Sequence, residues 1–376
     1  MGRTTATEDI VDAVRQAIDG GKRLRCRGGG SKSALSTPRP GETSLDLSAL
    51  TGIVEHDPDE LTVTVRAGTR LTDLVAHLAE HGQYLPFDPP FARRGATLGT
   101  TASATVGGTV AAGLAGAGRL RWGGVRDYLI GVRFVDGTGQ LARGGGRVVK
   151  NAAGFDIPKL MVGSLGGLAA LTELTFKVFP RPRAERTLRC QLRPTLRAAE
   201  LVALLQRLAA SPLELDALEV ESTAGGPLDT LWVRWAGLPE GLEPRSSQLR
   251  RLLEADVEDV AETNALETFE PPTLVRVPLT PGRLADLEAQ LAEAPVPRRY
   301  GGGAQQLWLA WDRPLADLDR ILRGLRLRGL VLWAPEPTDG SPWLGTPLDN
   351  PVLERVERAL NPHGVFPCIT RSTKTS

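Results

Sequence analysis

Glycine placed beside strand-like segments constrains this chain more than any other feature. Between residues 95 and 167 the sequence is dense in Gly, Ala and Thr, a composition that a flexible linker shares. Here, however, the small residues alternate with strand-like runs at 129–135, 147–150 and 171–178. An ordered glycine-rich domain is therefore expected. Three small-residue elements stand out within the first half. The first is Arg25-Cys26-Arg27-Gly28-Gly29-Gly30-Ser31-Lys32-Ser33, a strand opening into three glycines. Consecutive amides exposed without steric cost form an anion nest suited to a pyrophosphate, and Ser31 and Ser33 add hydroxyl donors. The second is Ala104-Thr105-Val106-Gly107-Gly108-Thr109-Val110-Ala111-Ala112-Gly113-Leu114-Ala115-Gly116, where small side chains let backbone lie flush on a large flat ligand or on another backbone. The third, Val162-Gly163-Ser164-Leu165-Gly166-Gly167-Leu168, leads into a strand in the same way. Neither a G-x-G-x-x-G dinucleotide fingerprint after a strand nor a P-loop is present.

The rest of the chain frames these elements. Ile10, Val11, Val14 and Ile18 have helical spacing, and residues 61–65 alternate as a strand. A helix follows from Gly68 and Thr69, with Leu71, Leu74, Val75 and Leu78 on one face. Pro180 and Pro182 mark a boundary. Beyond it, helices at 196–208, 248–253 and 315–325 alternate with strands at 230–235 and 307–311, without glycine clusters. That texture predicts an α+β second domain. The final segment, 351–366, reads as a helix and a turn at Asn361-Pro362-His363-Gly364.

Composition removes several function classes. A net charge of +1 gives no reason to expect nucleic acid or an anionic membrane as partner. The longest apolar stretches, such as 165–171, are too short to span a bilayer, and the polar N-terminus lacks a signal-peptide core. The three cysteines, Cys26, Cys190 and Cys368, are far apart and form no iron–sulfur ligand run, which points to a reducing compartment. A cytoplasmic location is expected, with any membrane association reached through partners, and electrons leaving the chain need another subunit.

Together the three elements resemble the FAD-binding domain of the vanillyl-alcohol-oxidase (PCMH-type) superfamily. More specifically, the chain is similar to the smaller flavin subunit of bacterial glycolate oxidases. The likeness extends through Leu50-Thr51-Gly52-Ile53-Val54, LTVTVRAG at 61–68, Gly82-Gln83-Tyr84-Leu85-Pro86-Phe87-Asp88-Pro89-Pro90, Val125-Arg126-Asp127-Tyr128 and Val149-Lys150-Asn151-Ala152-Ala153-Gly154. It thins after residue 182 to Leu274-Val275-Arg276, Gly301-Gly302-Gly303-Ala304-Gln305 and the tail. Two departures are visible. ATLG at 96–99 nearly duplicates ATVG at 104–107, of which the second is aligned because Gly-Gly-Thr-Val-Ala-Ala-Gly continues it. The tail carries Phe366-Pro367-Cys368 where the family has Asn-Pro-Gly.

The resemblance implies an α+β fold: a PCMH-type FAD-binding domain of two α+β subdomains over 1–183, an α+β cap over 184–345, and a C-terminal segment, 346–376, whose helix returns to the FAD domain. It implies that Gly28, Gly29, Gly30, Ser31 and Lys32 hold the pyrophosphate. Thr105, Val106, Gly107, Gly108, Thr109, Ala112, Gly113 and Gly116 would line the isoalloxazine and ribityl chain. Gly163, Gly166, Gly167 and Val132 would approach the ribose and adenine. No histidine falls in the first loop, so non-covalent FAD is expected. Implied partners are a larger FAD subunit, an iron–sulfur subunit and a small 2-hydroxy acid.

Oxidising such an acid needs a base and a cation for the carboxylate. The four histidines, His56, His77, His81 and His363, supply no recognisable base. His77 and His81 are spaced i, i+4 but have no nearby third ligand in sequence, so a plain helix face and no metal site are expected. Arg276 and Arg234 are the carboxylate candidates, against a blander placing on solvated strand edges. Three functions stay open: a subunit of a 2-hydroxy-acid dehydrogenase complex, a flavin-bearing scaffold or relay, and a stand-alone flavin oxidase.

Overall fold

The computed structural model describes residues 6–90, 104–146, 155–193, 195–260, 273–335, 341–348 and 350–367. The ATLG copy at 96–99, the strand-like run at 147–150, the adjoining Asn151–Gly154 motif and Cys368 lie outside the described residues.

The chain opens with helix Thr7–Asp19, which buries Ile10, Ala13, Val14 and Ala17 at helical spacing. These pack on Leu24 and Leu45, which sit on two short parallel strands, Arg23–Arg27 and Glu42–Asp46. Arg25 and Glu42 join those strands through a bidentate ion pair, buried at 3% and 6% exposure. The second lobe is a five-stranded antiparallel sheet in the order Ile53–Asp57, Thr62–Arg66, Ala169–Lys177, Leu129–Asp136 and Leu141–Gly145. Leu71, Leu74 and Leu78 of helix Leu71–Glu80 pack into its core, as do Val106 and Val110 of helix Val106–Ala112.

Strand Gln83–Tyr84 pairs with Phe179–Pro180, and the chain then enters a nine-stranded antiparallel sheet that runs from Ala184–Gln191 to Trp343–Gly345. Strand alternation gives this sheet two unlike faces. Val233, Trp235, Val275, Val277, Leu307, Leu309 and Val331 face a core that includes residues of helices Ala198–Ala209, Pro239–Leu253, Leu284–Leu291 and Leu315–Gly324. Their sequence neighbours Leu274, Trp308, Leu330 and Leu332 belong to the core of the five-stranded lobe. Between these apolar contacts the same face presents Arg234, Arg276 and Gln306 to the first half of the chain.

Helix Pro351–Leu360 is capped by the Asn350 side chain and brings the tail back. Gly137 N–H donates to Leu360 O (2.7 Å), and Leu24 N–H donates to Val365 O (2.7 Å). Asn361 is buried and donates to the Gly167 and Phe366 carbonyls.

Candidate functional site

Strand Arg23–Arg27 ends at a solvent-open cleft. Its floor and walls are the backbone of Gly28–Lys32, the cap and first turn of helix Val106–Ala112, and Gly166. Ala111 and Leu165 of the small-residue elements, with Leu35, Leu47, Ala67 and Leu171, complete an apolar lining.

The local causes are steric. Gly30 has φ +79°, a left-handed conformation that side chains disfavour. A Cβ on Gly28 would stand 2.2 Å from Thr105 Oγ1, so the loop meets the helix start only as glycine. Thr105 Oγ1 in turn accepts from Gly108 N–H (3.3 Å) and caps that helix. A Cβ on Gly107 would meet Ala67 Cβ at 2.8 Å, and its N–H donates to Ala67 O (2.8 Å). The Gly-rich segment expected to lie flush on a flat ligand or on another backbone is a short helix, held by tertiary bonds rather than by propensity.

One cation sits in this cleft wall at depth. Lys32 is 6% exposed, its Nζ donates to Ser31 Oγ (3.0 Å), and burial lowers its pKa to about 8. A buried ammonium next to a nest of amides, with an apolar channel beside it, fits a ligand that carries a diphosphate and a flat ring. Cys26 lines the same cleft, but burial raises its thiol to about 12, so it stays protonated.

Of the residues expected from sequence, Gly28, Gly29, Gly30, Ser31, Lys32, Thr105, Gly107, Gly108, Ala112 and Gly166 come together on the cleft. The others lie behind or beside it. Val106 and Thr109 are buried, Val132 sits in the sheet core, and Gly113 ends the helix with φ +62°. Gly163 N–H donates to Val110 O, Gly116 N–H donates to Asp88 O, and Gly167 O accepts from Asn361.

Neither arginine lies on a solvated edge, contrary to one reading of the sequence, because both alternate onto the inner face of the larger sheet. Arg234, 8% exposed, is ion-paired with Asp88. Its charge is thereby committed to a carboxylate of the chain itself, which removes it as a free carboxylate receptor. Arg276 is different. Its Nη1 donates to Gly113 O (3.5 Å) and its buried Nε has no hydrogen-bond partner among the described residues. Burial first, and the like charge of Arg119 second, lower its pKa to about 10. Arg276 thus stands near Gly113, at the C-terminal end of the helix that lines the cleft, within reach of the charge on Arg119.

The histidine pair also needs correction. The expectation of no nearby third ligand fails because strand Ile53–Asp57 brings His56 beside helix Leu71–Glu80. The candidate ligand atoms of His56, His77 and His81 lie within 4.8 Å of one another. None of the three lines the cleft, nor does His363.

Comparison with known proteins agrees with this geometry. The family described as FAD binding domain matches residues 3–145. Over that stretch the chain is similar to an FAD-binding domain. It is 44% identical to glycolate oxidase subunit GlcE of Escherichia coli (strain K12) over 50% of this chain and 51% of that protein. It is 32% identical to glycolate oxidase subunit GlcD of Bacillus subtilis (strain 168) over 43% of this chain and 33% of that one. The chain therefore spans about half the length, or less, of these curated relatives. The substrate-bound crystal structure of p-cresol methylhydroxylase superposes with TM-score 0.69 at 13% identity, covering 97% of this chain and 87% of that one. That likeness shows the fold.

Proposed function

We propose that this chain is the FAD-bearing component of a complex that oxidises glycolate or another small 2-hydroxy acid, working beside a larger flavin subunit and an iron–sulfur subunit. The observation that carries it is the amide nest of Gly28–Lys32 with its buried ammonium, in a chain that matches a glycolate oxidase subunit over half its length. FAD, when bound, supplies a two-electron acceptor. The chain's part is to bind and orient. Lys32 and the 28–32 amides would hold the diphosphate. Thr105, Gly107, Gly108 and Ala112 would let the ring lie against backbone. No histidine stands in the 28–33 loop and the Cys26 thiol is held protonated, which favours non-covalent attachment. Arg276, with Arg119 beside it, would receive a carboxylate. Among the described residues no helix is long and apolar enough to cross a membrane, so any membrane association is assigned to partners.

A second reading, that the flavin relays electrons and turns over no substrate here, is favoured by one observation. None of the four histidines lines the cleft to act as base. An anaerobic absorbance spectrum, before and after glycolate and D-lactate, separates the readings. Bleaching of the flavin in the isolated chain supports substrate chemistry here, and Arg276→Met would then suppress it. A flavin that bleaches only when the partner subunits are added supports the relay. A chain that neither contains nor takes up FAD overturns both.

A further inference from the structure

The histidine cluster lies away from the cleft and takes no part in the reading above. His56 comes from the edge strand of the five-stranded sheet, while His77 and His81 come from the last turn and cap of helix Leu71–Glu80. The three ring centroids form a nearly equilateral triangle with sides of 4.6, 4.8 and 4.9 Å. One candidate ligand nitrogen of each ring lies within 4.8 Å of the other two.

The hydrogen bonds fix where the lone pairs are. Gln83 is 4% exposed, and its Nε2 donates to Pro58 O (2.9 Å), so its Oε1 is the atom that faces His56 Nε2 (2.9 Å). An amide oxygen only accepts, so His56 Nε2 carries a proton. In the neutral ring the lone pair then sits on Nδ1, which points at His77 Nε2 3.0 Å away. His81 Nδ1 lies 2.9 Å from His77 O, a carbonyl, so that nitrogen is protonated too and the lone pair is on Nε2. Two of the three imidazoles are thus locked in the tautomer a cation requires, while His77 Nε2–H donates to His56 Nδ1 and must move its proton to Nδ1 when a cation takes that place. An acceptor on the far ring nitrogen, as Gln83 provides for His56, is the usual support of a metal-bound histidine.

We propose that His56 Nδ1, His77 Nε2 and His81 Nε2 bind a borderline divalent cation, with zinc the best fit, and leave its remaining position to solvent. Three imidazoles match the preference of Zn²⁺, Cu²⁺ and Ni²⁺ over the oxygen-seeking Mg²⁺ and Ca²⁺. A tetrahedral ion with Zn–N of about 2.0–2.1 Å separates its nitrogens by roughly 3.3 Å. The His56–His77 pair is close to that already. His81, the exposed member, has freedom to close the remaining gap. The ion would clamp the C-terminal end of helix Leu71–Glu80 to strand Ile53–Asp57. The opposite end of that helix is tied to the cleft through the Arg70–Thr105 bridge and Leu71 N–H to Ala104 O (2.8 Å). The role assigned is structural, and Gln83 is a positioning residue.

The test is calorimetric titration of Zn²⁺ into the full-length chain, purified without a polyhistidine tag and stripped with chelator. One ion per chain at micromolar affinity or tighter is expected, with a rise in melting temperature and an unchanged flavin spectrum. His81→Ala, an exposed change that leaves the fold intact, should weaken binding at least 100-fold. Gln83→Leu should weaken it 10- to 100-fold, whereas Gln83→Glu, which keeps an acceptor for His56, should restore it. Failure to bind Zn²⁺ below 100 μM, or binding that His81→Ala leaves unchanged, overturns the proposal. FAD content in these variants reads the cleft separately.

Discussion

Lys32 is the residue on which the cofactor reading can be tested most directly. Its ordinary pKa of 10.5 falls to about 8 because the folded chain desolvates the ammonium. A lowered base costs the apo fold stability below about pH 8. That cost is relieved as pH rises from 8 to 10.5, so this residue's contribution to apo stability improves across that window. Cofactor binding runs the other way. A diphosphate favours the charged lysine, so its affinity should be greatest below about pH 8 and should weaken from there to pH 9.5. Lys32→Met should bind FAD roughly 10- to 100-fold more weakly, as expected for a lost charged hydrogen bond of about 1.5–3 kcal/mol. The variant's pH profile over 8–9.5 should be flat, and fluorescence titration of FAD reads both effects. Gly28→Ala makes a sharper steric case. The new methyl would collide with Thr105 Oγ1, and relief would pull that hydroxyl from Gly108 N–H, so holoprotein yield should fall while far-UV circular dichroism stays native. These positions were legible because three small-residue elements follow one another in this order, whereas a single glycine-rich turn after a strand is common. Gly163, Gly167 and Val132 were less so, since glycines that let two backbones touch have the same signature as glycines that let a ligand touch.

At the scale of elements, the larger sheet shows what the sequence hid. Along Ala217–Ser222, Leu218 and Val220 face the helix-covered core while Glu219 and Glu221 face the other way. Both carboxylates accept from Arg299, and the three charged side chains are no more than 5% exposed. Trp232 Nε1 adds a bond to Glu221 (2.7 Å). Charged residues at alternate strand positions read as a solvated face, which is how Arg234 and Arg276 came to be weighed as edge residues. Only the docking of a second lobe turns that face inward, and docking is nonlocal. Helix Val106–Ala112 escaped for a related reason. Gly107 and Gly108 disfavour helix, and the bonds from Leu71 N–H to Ala104 O and from Val106 N–H to Thr69 O supply what propensity lacks. By contrast, helices Thr7–Asp19 and Leu71–Glu80 were readable from their leucine and isoleucine spacing alone, because their apolar stripes are local. The Arg299 network yields a prediction at this scale. Arg299→Met strands two buried carboxylates and should cost about 3–5 kcal/mol in urea unfolding. Adding Glu219→Leu and Glu221→Leu to it should recover much of that loss, since an apolar replacement leaves no buried charge.

For the whole molecule, the first and last segments of the chain share one core. Phe366 and Val365 pack with Ile10, Val14, Leu24 and Leu45, and Phe366 is fully buried. Leu24 lies on strand Arg23–Arg27, which feeds directly into the Gly28–Lys32 loop, and its N–H is bonded to Val365 O. Asn361 ties the same tail to Gly167, next to Gly166 on the cleft wall. The tail therefore braces both sides of the cleft without lining it. Phe366→Ala should destabilise the fold by about 3–5 kcal/mol, the usual loss for a large buried aromatic. The useful contrast is with Trp235→Ala, which removes an equally buried aromatic from the helix-covered core of the larger sheet. Both variants should melt early. Measured well below either transition, FAD affinity should drop for Phe366→Ala, because the strand that presents the amide nest loses its support. It should be nearly unchanged for Trp235→Ala, whose cavity opens on the sheet face turned away from the cleft. Equal losses of affinity would mean that flavin retention follows global stability alone, and that the tail does not brace the site.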